Sequence, residues 1–104
     1  TTHTLLSSLR EIHDQAIFQK NDSSFGIKFL SNSYILFQGS SYASRIPNED
    51  RTISIPNNIT ISGINEIVFT KRTGLPNTTG AILIQSGSKI FSIHINQQGM
   101  IEML

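Results

Sequence analysis

This sequence of 104 residues predicts an α+β domain, one amphipathic helix laid on antiparallel β-structure, on three observations. Apolar residues near the start recur with helical spacing. From Phe25 onward the period changes to two. Isoleucine dominates the apolar set, with 17 of the 104 positions, and Ile and Thr favour strands because a branched Cβ packs well on a pleated surface.

The helix rests on Leu5, Leu6, Leu9, Ile12, His13, Ala16 and Ile17, spaced i, i+3, i+4 and i+7, with Ser7, Ser8, Arg10, Glu11, Asp14 and Gln15 on the outer face. It is expected over residues 1–21, with Lys20 in the last turn at the negative end of the helix dipole. Asn21, Asp22, Ser23 and Ser24 end it, because their side chains compete for backbone hydrogen bonds.

The β-region is expected over residues 25–104. Phe25, Ile27 and Phe29 alternate with Gly26 and Lys28, and after a turn at Ser31 and Asn32 a second strand runs from Ser33 to Gln38, which reads as a hairpin. Residues 39–50 are polar and contain Pro47, so they form a surface loop with Tyr42 and Ile46 as its anchors to the core. Short β-branched strands are expected at 52–55 and 59–62, on either side of Pro56, Asn57 and Asn58, and another at 66–70 with Ile67 and Phe69 on one face. Gly74 and Pro76 make 71–79 a loop. Three strands close the chain: 81–85, then 89–96 after a Ser86-Gly87 turn with Phe91, Ile93 and Ile95 on one face, then 100–103 after Gln97, Gln98 and Gly99. The pattern leaves open whether these strands form one sheet or two.

Size and composition narrow the function classes. A chain this long buries roughly two-thirds of the surface it exposes when unfolded, enough for a single core and a single domain over residues 1–104. It has no cysteine, and charged residues are 14% of the total, well below the roughly 25% of an average soluble domain. Eight Lys+Arg against seven Asp+Glu leave a net charge of +1, which argues against nucleic-acid binding by bulk charge. Unbroken apolar runs such as Tyr34 to Phe37 reach four residues, far short of the roughly 20 that span a bilayer. The sequence starts with Thr, so an initiator or a preceding segment is expected to have been removed.

No catalytic constellation emerges. His3, His13 and His94 do not cluster, and no acidic pair stands at metal-ligand spacing beside them, so no metal and no cofactor are expected. His94 falls on the strand face opposite Phe91, Ile93 and Ile95. Serines are many, yet no Gly-x-Ser-x-Gly elbow activates one, and the carboxylates are scattered. The chain is therefore not expected to be an enzyme. The cations that could meet a ligand or another subunit are the doublet Lys71 and Arg72 in one loop, and Arg45 and Arg51 around the other. Two to four phosphate contacts from such a set would bind DNA weakly and with strong salt dependence, so DNA binding is not favoured.

Read together, Ile67-x-Phe69, Gly74, Gly80-x-Ile82-x-Ile84, Ile93-x-Ile95 and Gly99-x-Ile101 resemble the C-terminal β-region of type IV pilin-like proteins, in particular the family that unites the minor pseudopilin GspH with the minor pilin FimT. The first half fits the same order of elements, an amphipathic helix with Ala16-Ile17, a hairpin at 25–37 and a loop before 53–61. The resemblance implies a pilin-like fold and a non-catalytic subunit of a type IV pilus or type II secretion filament. It further implies other pilin or pseudopilin subunits as partners and a location in the cell envelope, periplasmic or extracellular. A membrane helix upstream of Thr1, exposed and methylated at its N-terminus once a leader is cleaved, would anchor the chain before assembly. The outer helix face and the loops 39–50 and 71–79 are then the candidate contact surfaces. Some members resembling FimT bind DNA through a basic Gly-Arg-x-Arg stretch, where this sequence reads Gly99-Met100-Ile101-Glu102 and lacks both arginines.

Overall fold

The structure is a computed structural model and describes residues 2–18 and 23–103. Helix α1 spans Thr2–Ile17. Lys20, Asn21 and Asp22, expected to end the helix, lie outside the described residues. Eight strands follow: β1 Phe25–Phe29, β2 Ser33–Gln38, β3 Arg51–Ser54, β4 Ile59–Gly63, β5 Glu66–Phe69, β6 Gly80–Ser86, β7 Lys89–Ile95 and β8 Ile101–Met103. A single 3-10 turn, Pro47–Glu49, interrupts the loop before β3.

The strands make two separate four-stranded antiparallel sheets, ordered β3-β2-β1-β5 and β4-β6-β7-β8. The chain passes repeatedly between them. From β3 in the first sheet it crosses by way of buried Ile55 and the turn after Pro56 to β4 in the second, then returns for β5. Gly63, at φ 94°, makes the return crossing possible, since a Cβ there would stand 2.3 Å from the Ala81 carbonyl oxygen.

Leu5, Leu9, Ile12 and Ala16 of α1 are at most 1% exposed and face both sheets, with the helix packed on β1, β5 and β8. They join Ile27, Ile67 and Phe69 of the first sheet and Ile82, Ile84, Ile93 and Ile95 of the second in one continuous apolar core. Ser8, expected on the outer face, is buried. At about 100° per residue it lies only about 40–60° around the helix from Ile12 and Leu5, and its small side chain fits beside the buried Tyr34.

Strand alternation puts a second, smaller cluster on the far face of the first sheet, made of Ile35, Phe37 and Val68 and covered by Tyr42. Gly26 is required beneath it, because a Cβ there would meet Phe37 Cζ at 2.5 Å and the Ile67 carbonyl oxygen at 2.6 Å. Tyr42 thus anchors its loop, edge-on to Phe37 at 5.7 Å. Ile46 does not: its side chain is 46% exposed, and only its backbone is tied down, by N–H donation to the Gln38 carbonyl. In the second sheet Ile93 and Ile95 are buried as expected, whereas Phe91 stays 36% exposed because it lies near the β6-β7 turn, at the end of the sheet farthest from β8.

Candidate interaction surfaces

The outer face of α1 presents Arg10, Glu11 and Asp14 to solvent, with Gln15 half-buried beside them. Glu11 is engaged within the chain, accepting from the Arg51 guanidinium and, at 3.4 Å, from Gln15 Nε2. Arg51 therefore ties the first strand after the loop to the helix. The pair is about half exposed, and its contribution to stability is correspondingly small.

Arg45 organises the loop 39–50. Its Nε donates to Asp50 Oδ2 at 2.8 Å, its Nη1 donates to the Tyr42 carbonyl at 3.0 Å, and the guanidinium lies 3.9 Å above the Tyr42 ring. The hydrogen bond to Asp50 holds the guanidinium still more firmly protonated than usual. Tyr42 in turn donates its backbone N–H to Glu66 Oε2 at 3.1 Å, and Glu66 meets Lys28 at 3.8 Å. Between this loop and α1 lies a cavity of about 210 Å³ lined by Ile12, Gln15, Gln38, Glu49, Asp50 and Arg51 among others. Asp50 Oδ1 is buried without a hydrogen-bond partner among the described residues.

The loop 71–79 closes over the end of the helix. Arg72 adopts a φ of 75°, the left-handed region, and its N–H caps α1 by donating to the Ala16 carbonyl at 2.9 Å. Gly74 packs so closely that a Cβ would stand 2.6 Å from Ile17 and 2.9 Å from His13 Nε2. Gly99 sits on this assembly from the other side, at φ 83° and with its Cβ position 2.4 Å from the Gly74 carbonyl oxygen. His13, which sequence spacing places on the apolar stripe, meets Phe69 edge-on at 5.1 Å and fills this corner.

The four candidate cations are thus distributed in different ways. Arg45 and Arg51 are held by Asp50 and Glu11. Lys71 donates its backbone N–H to Ser24 Oγ and lines a shallow depression with Ser23, Ser24, Gly39 and Ser40, next to the Arg45 backbone that Gly39 touches. Arg72 is exposed. His94 lies on the outer face of the second sheet, in register with Glu102 and with Ala81, and 3.4 Å from Ser92 Oγ. Among the described residues no three His, Asp or Glu side chains gather where they could hold a metal ion, and no helix is long and apolar enough to cross a membrane.

No protein-family model and no curated protein sequence matches this chain. Its three-dimensional arrangement is similar to a solved structure, that of the minor pseudopilin EpsH from the Type 2 Secretion System of Vibrio cholerae, with a TM-score of 0.71 over 98% of this chain and 91% of that one. The fold is pilin-like. At 10% identity the likeness lies in the arrangement of the helix and strands rather than in shared side chains. It matches the α+β architecture that the sequence pattern predicts and the pilin-like fold that the family resemblance implies.

Proposed function

We propose that this chain is the head domain of a minor pilin or pseudopilin, a non-catalytic subunit of a type II secretion or type IV pilus filament, of the kind that GspH and FimT represent. The observation that supports this best is the seating of one amphipathic helix against both sheets, in an arrangement shared with EpsH over nearly the whole chain. In this reading α1 continues, upstream of Thr1, an apolar helix that holds the subunit in the cytoplasmic membrane and later packs in the filament. A leader is cleaved and the new N-terminus methylated. Helix α1 then carries the β-domain to the periplasmic or extracellular surface, and contacts with neighbouring subunits rest on buried area and shape.

The partners are other pilin or pseudopilin subunits, met through the outer helix face and the loops 39–50 and 71–79. Arg45, Arg51, Lys71 and Arg72 border those surfaces. Because the chain has no cysteine, single substitutions Asp14→Cys and Arg72→Cys report neighbours cleanly when the native protein is cross-linked in its own envelope. Cross-links to pilin-like subunits are the expected result. A native gene that encodes no apolar stretch of about 20 residues before Thr1 overturns the reading. A pilus-associated binding module, a DNA or surface receptor that uses these cations, is the weaker reading, since Arg45 and Arg51 already have carboxylate partners. Gel shifts at two salt concentrations decide it, a receptor giving micromolar binding that salt abolishes.

A further inference from the structure

The two sheets have four lateral edges, and three of them carry a feature that resists pairing with another chain. At β5, Asn77 donates its N–H to the Val68 carbonyl and accepts the Val68 N–H on its side chain, both at 2.9 Å, and Pro76 is bridged to Phe69 beside it. Strand β3 begins with the charged Arg51, and β8 carries Glu102. The fourth edge, β4, reads Ile59-Thr60-Ile61-Ser62-Gly63, with no charge, no proline and an unbroken register along β6. Strand β8 and the helix contact with this sheet lie at its opposite end, so extending β8 in register past Met103 runs along β7 and leaves β4 as it is.

The direction of the backbone groups on β4 follows from its register. The Ile64 N–H bonds the Ala81 carbonyl at 3.1 Å, so by alternation Ser62 and Thr60 exchange hydrogen bonds with Leu83 and Gln85. Ile61 and Gly63 then turn their N–H groups away from β6, as Ile59 and Ile61 do their carbonyls, and none of the described residues bonds these groups there. The Ile59 N–H is already committed, since it closes a turn by bonding the Pro56 carbonyl at 3.0 Å. Thr60 and Ser62 are exposed on the outer face, while Ile59 and Ile61 pack on the core from the inner one.

From this we infer that the β4 edge is a self-docking site, at which two copies pair antiparallel about a two-fold axis at Ile61. With Ile61 opposite Ile61 of the second copy, the two exchange both backbone bonds, and each Gly63 N–H donates to the other copy's Ile59 carbonyl. Ile59 lies across from Gly63, whose missing side chain leaves it room, and Thr60 lies across from Ser62, a pair of hydroxyls that bond across strands. This register asks nothing of the Ile59 N–H or the Gly63 carbonyl. Moving the axis to Thr60 calls on the Ile59 N–H, which the turn holds. Moving it to Ser62 calls on both backbone groups of Gly63, which at φ 94° has turned out of the strand, and sets Thr60 against Ile64 beyond it. The contact is isologous and buries far less than the roughly 1,200 Å² of a stable complex, so it is populated at high concentration.

The inference does not depend on the filament reading. Because the chain has no cysteine, its register is read by disulfide trapping in a glutathione redox buffer. Thr60 and Ser62 of the two copies face each other at a non-hydrogen-bonded position, where Cα atoms stand about 4.5 Å apart and a disulfide can close. An equimolar mixture of Thr60→Cys and Ser62→Cys should give mixed dimer at least tenfold above the dimer of either variant alone. Amide chemical shifts of the wild-type chain, followed up to millimolar concentration, should move at residues 59–63. Ile61→Pro removes the outward N–H without touching the bonds to β6, and should cut the trapping at least tenfold while far-UV circular dichroism stays unchanged. The cysteine comparison keeps the backbone intact, so a folding defect in the proline variant leaves the test standing. Equal trapping in all three cysteine samples, strongest trapping by Ser62→Cys alone, or wild-type shifts at 59–63 that do not change with concentration overturns the proposal.

Discussion

Tyr34 shows how a single buried atom can work against its own side chain. The residue is 1% exposed and its ring packs at 5.9 Å from Phe29, yet among the described residues no hydrogen bond of ordinary geometry reaches its hydroxyl, although the Ser8 hydroxyl lies close. Burial pushes that hydroxyl above its ordinary pKa of 10.0, with the nearby Ser8 hydroxyl opposing the shift. Tyr34→Phe keeps the ring and removes an unsatisfied polar atom, so it should leave stability unchanged or raise it by up to about 1 kcal/mol in urea titrations. The pH dependence has a definite sign. A folded-state pKa raised above the unfolded value gives a contribution that is complete below pH 10 and is lost as pH rises through the folded pKa, because the unfolded chain releases the proton first. Wild type should therefore lose stability relative to Tyr34→Phe above pH 10, and equal slopes there refute the assignment. Gly26 marks the opposite case, a position where nothing can be added. A Cβ would press on Phe37 Cζ and on the Ile67 carbonyl oxygen within 2.6 Å, so Gly26→Ala should cost about 1–3 kcal/mol by chemical denaturation, with the Phe37–Tyr42 contact disturbed first.

At the scale of elements, the loop 39–50 is held by one side chain more than by its sequence. Arg45 bonds Asp50, bonds the Tyr42 carbonyl and stacks on the Tyr42 ring, three interactions that a planar guanidinium makes together and an ammonium does not. Arg45→Lys should leave the thermal midpoint nearly unchanged but speed amide exchange in the loop about tenfold, with β1 and β2 unaffected. Exchange that accelerates equally in the strands would mean that the clamp supports the sheet and not the loop. The same elements show what the sequence discloses. Strands β1 and β2 can be read from the sequence, β1 from its alternation and β2 from an unbroken apolar run bounded by Asn32 and Gly39. The partition into two sheets cannot: β3 and β4 are both short and β-branched, and their local pattern carries no information about which neighbours they join. Ile46 reads as an anchor by its hydrophobicity, yet the chain fastens itself there through its backbone, which leaves no trace in residue type. The cations of the candidate surface were legible as loop-flanking charges. Their partners were not, since Glu11 lies 40 positions from Arg51 and only the laying of α1 on the first sheet brings the two side chains together.

Across the whole molecule, the two sheets share one core, and this has a thermodynamic consequence. Residues of α1, of the first sheet and of the second belong to a single apolar cluster, and the chain crosses between sheets after β3, after β4 and after β5. Apart from the small Ile35, Phe37 and Val68 cluster on the far face of the first sheet, neither sheet has an apolar face of its own to keep if the other departs. We therefore expect the chain to unfold as one unit, with the calorimetric and van't Hoff enthalpies equal. Ile27→Val probes the first sheet and Ile82→Val the second, both at positions that are fully buried. Each should cost about 0.5–1.5 kcal/mol, and each should lower the midpoint of the same transition, by about 4–8 °C per kcal/mol for a domain of this size. If the helix bridges the sheets as its contacts with β1, β5 and β8 indicate, Leu9→Val should shift that one transition too, whether followed by far-UV signal or by tyrosine fluorescence. Two resolved transitions, one moved by Ile27→Val alone and the other by Ile82→Val alone, would show instead that the sheets are independent units joined by the helix.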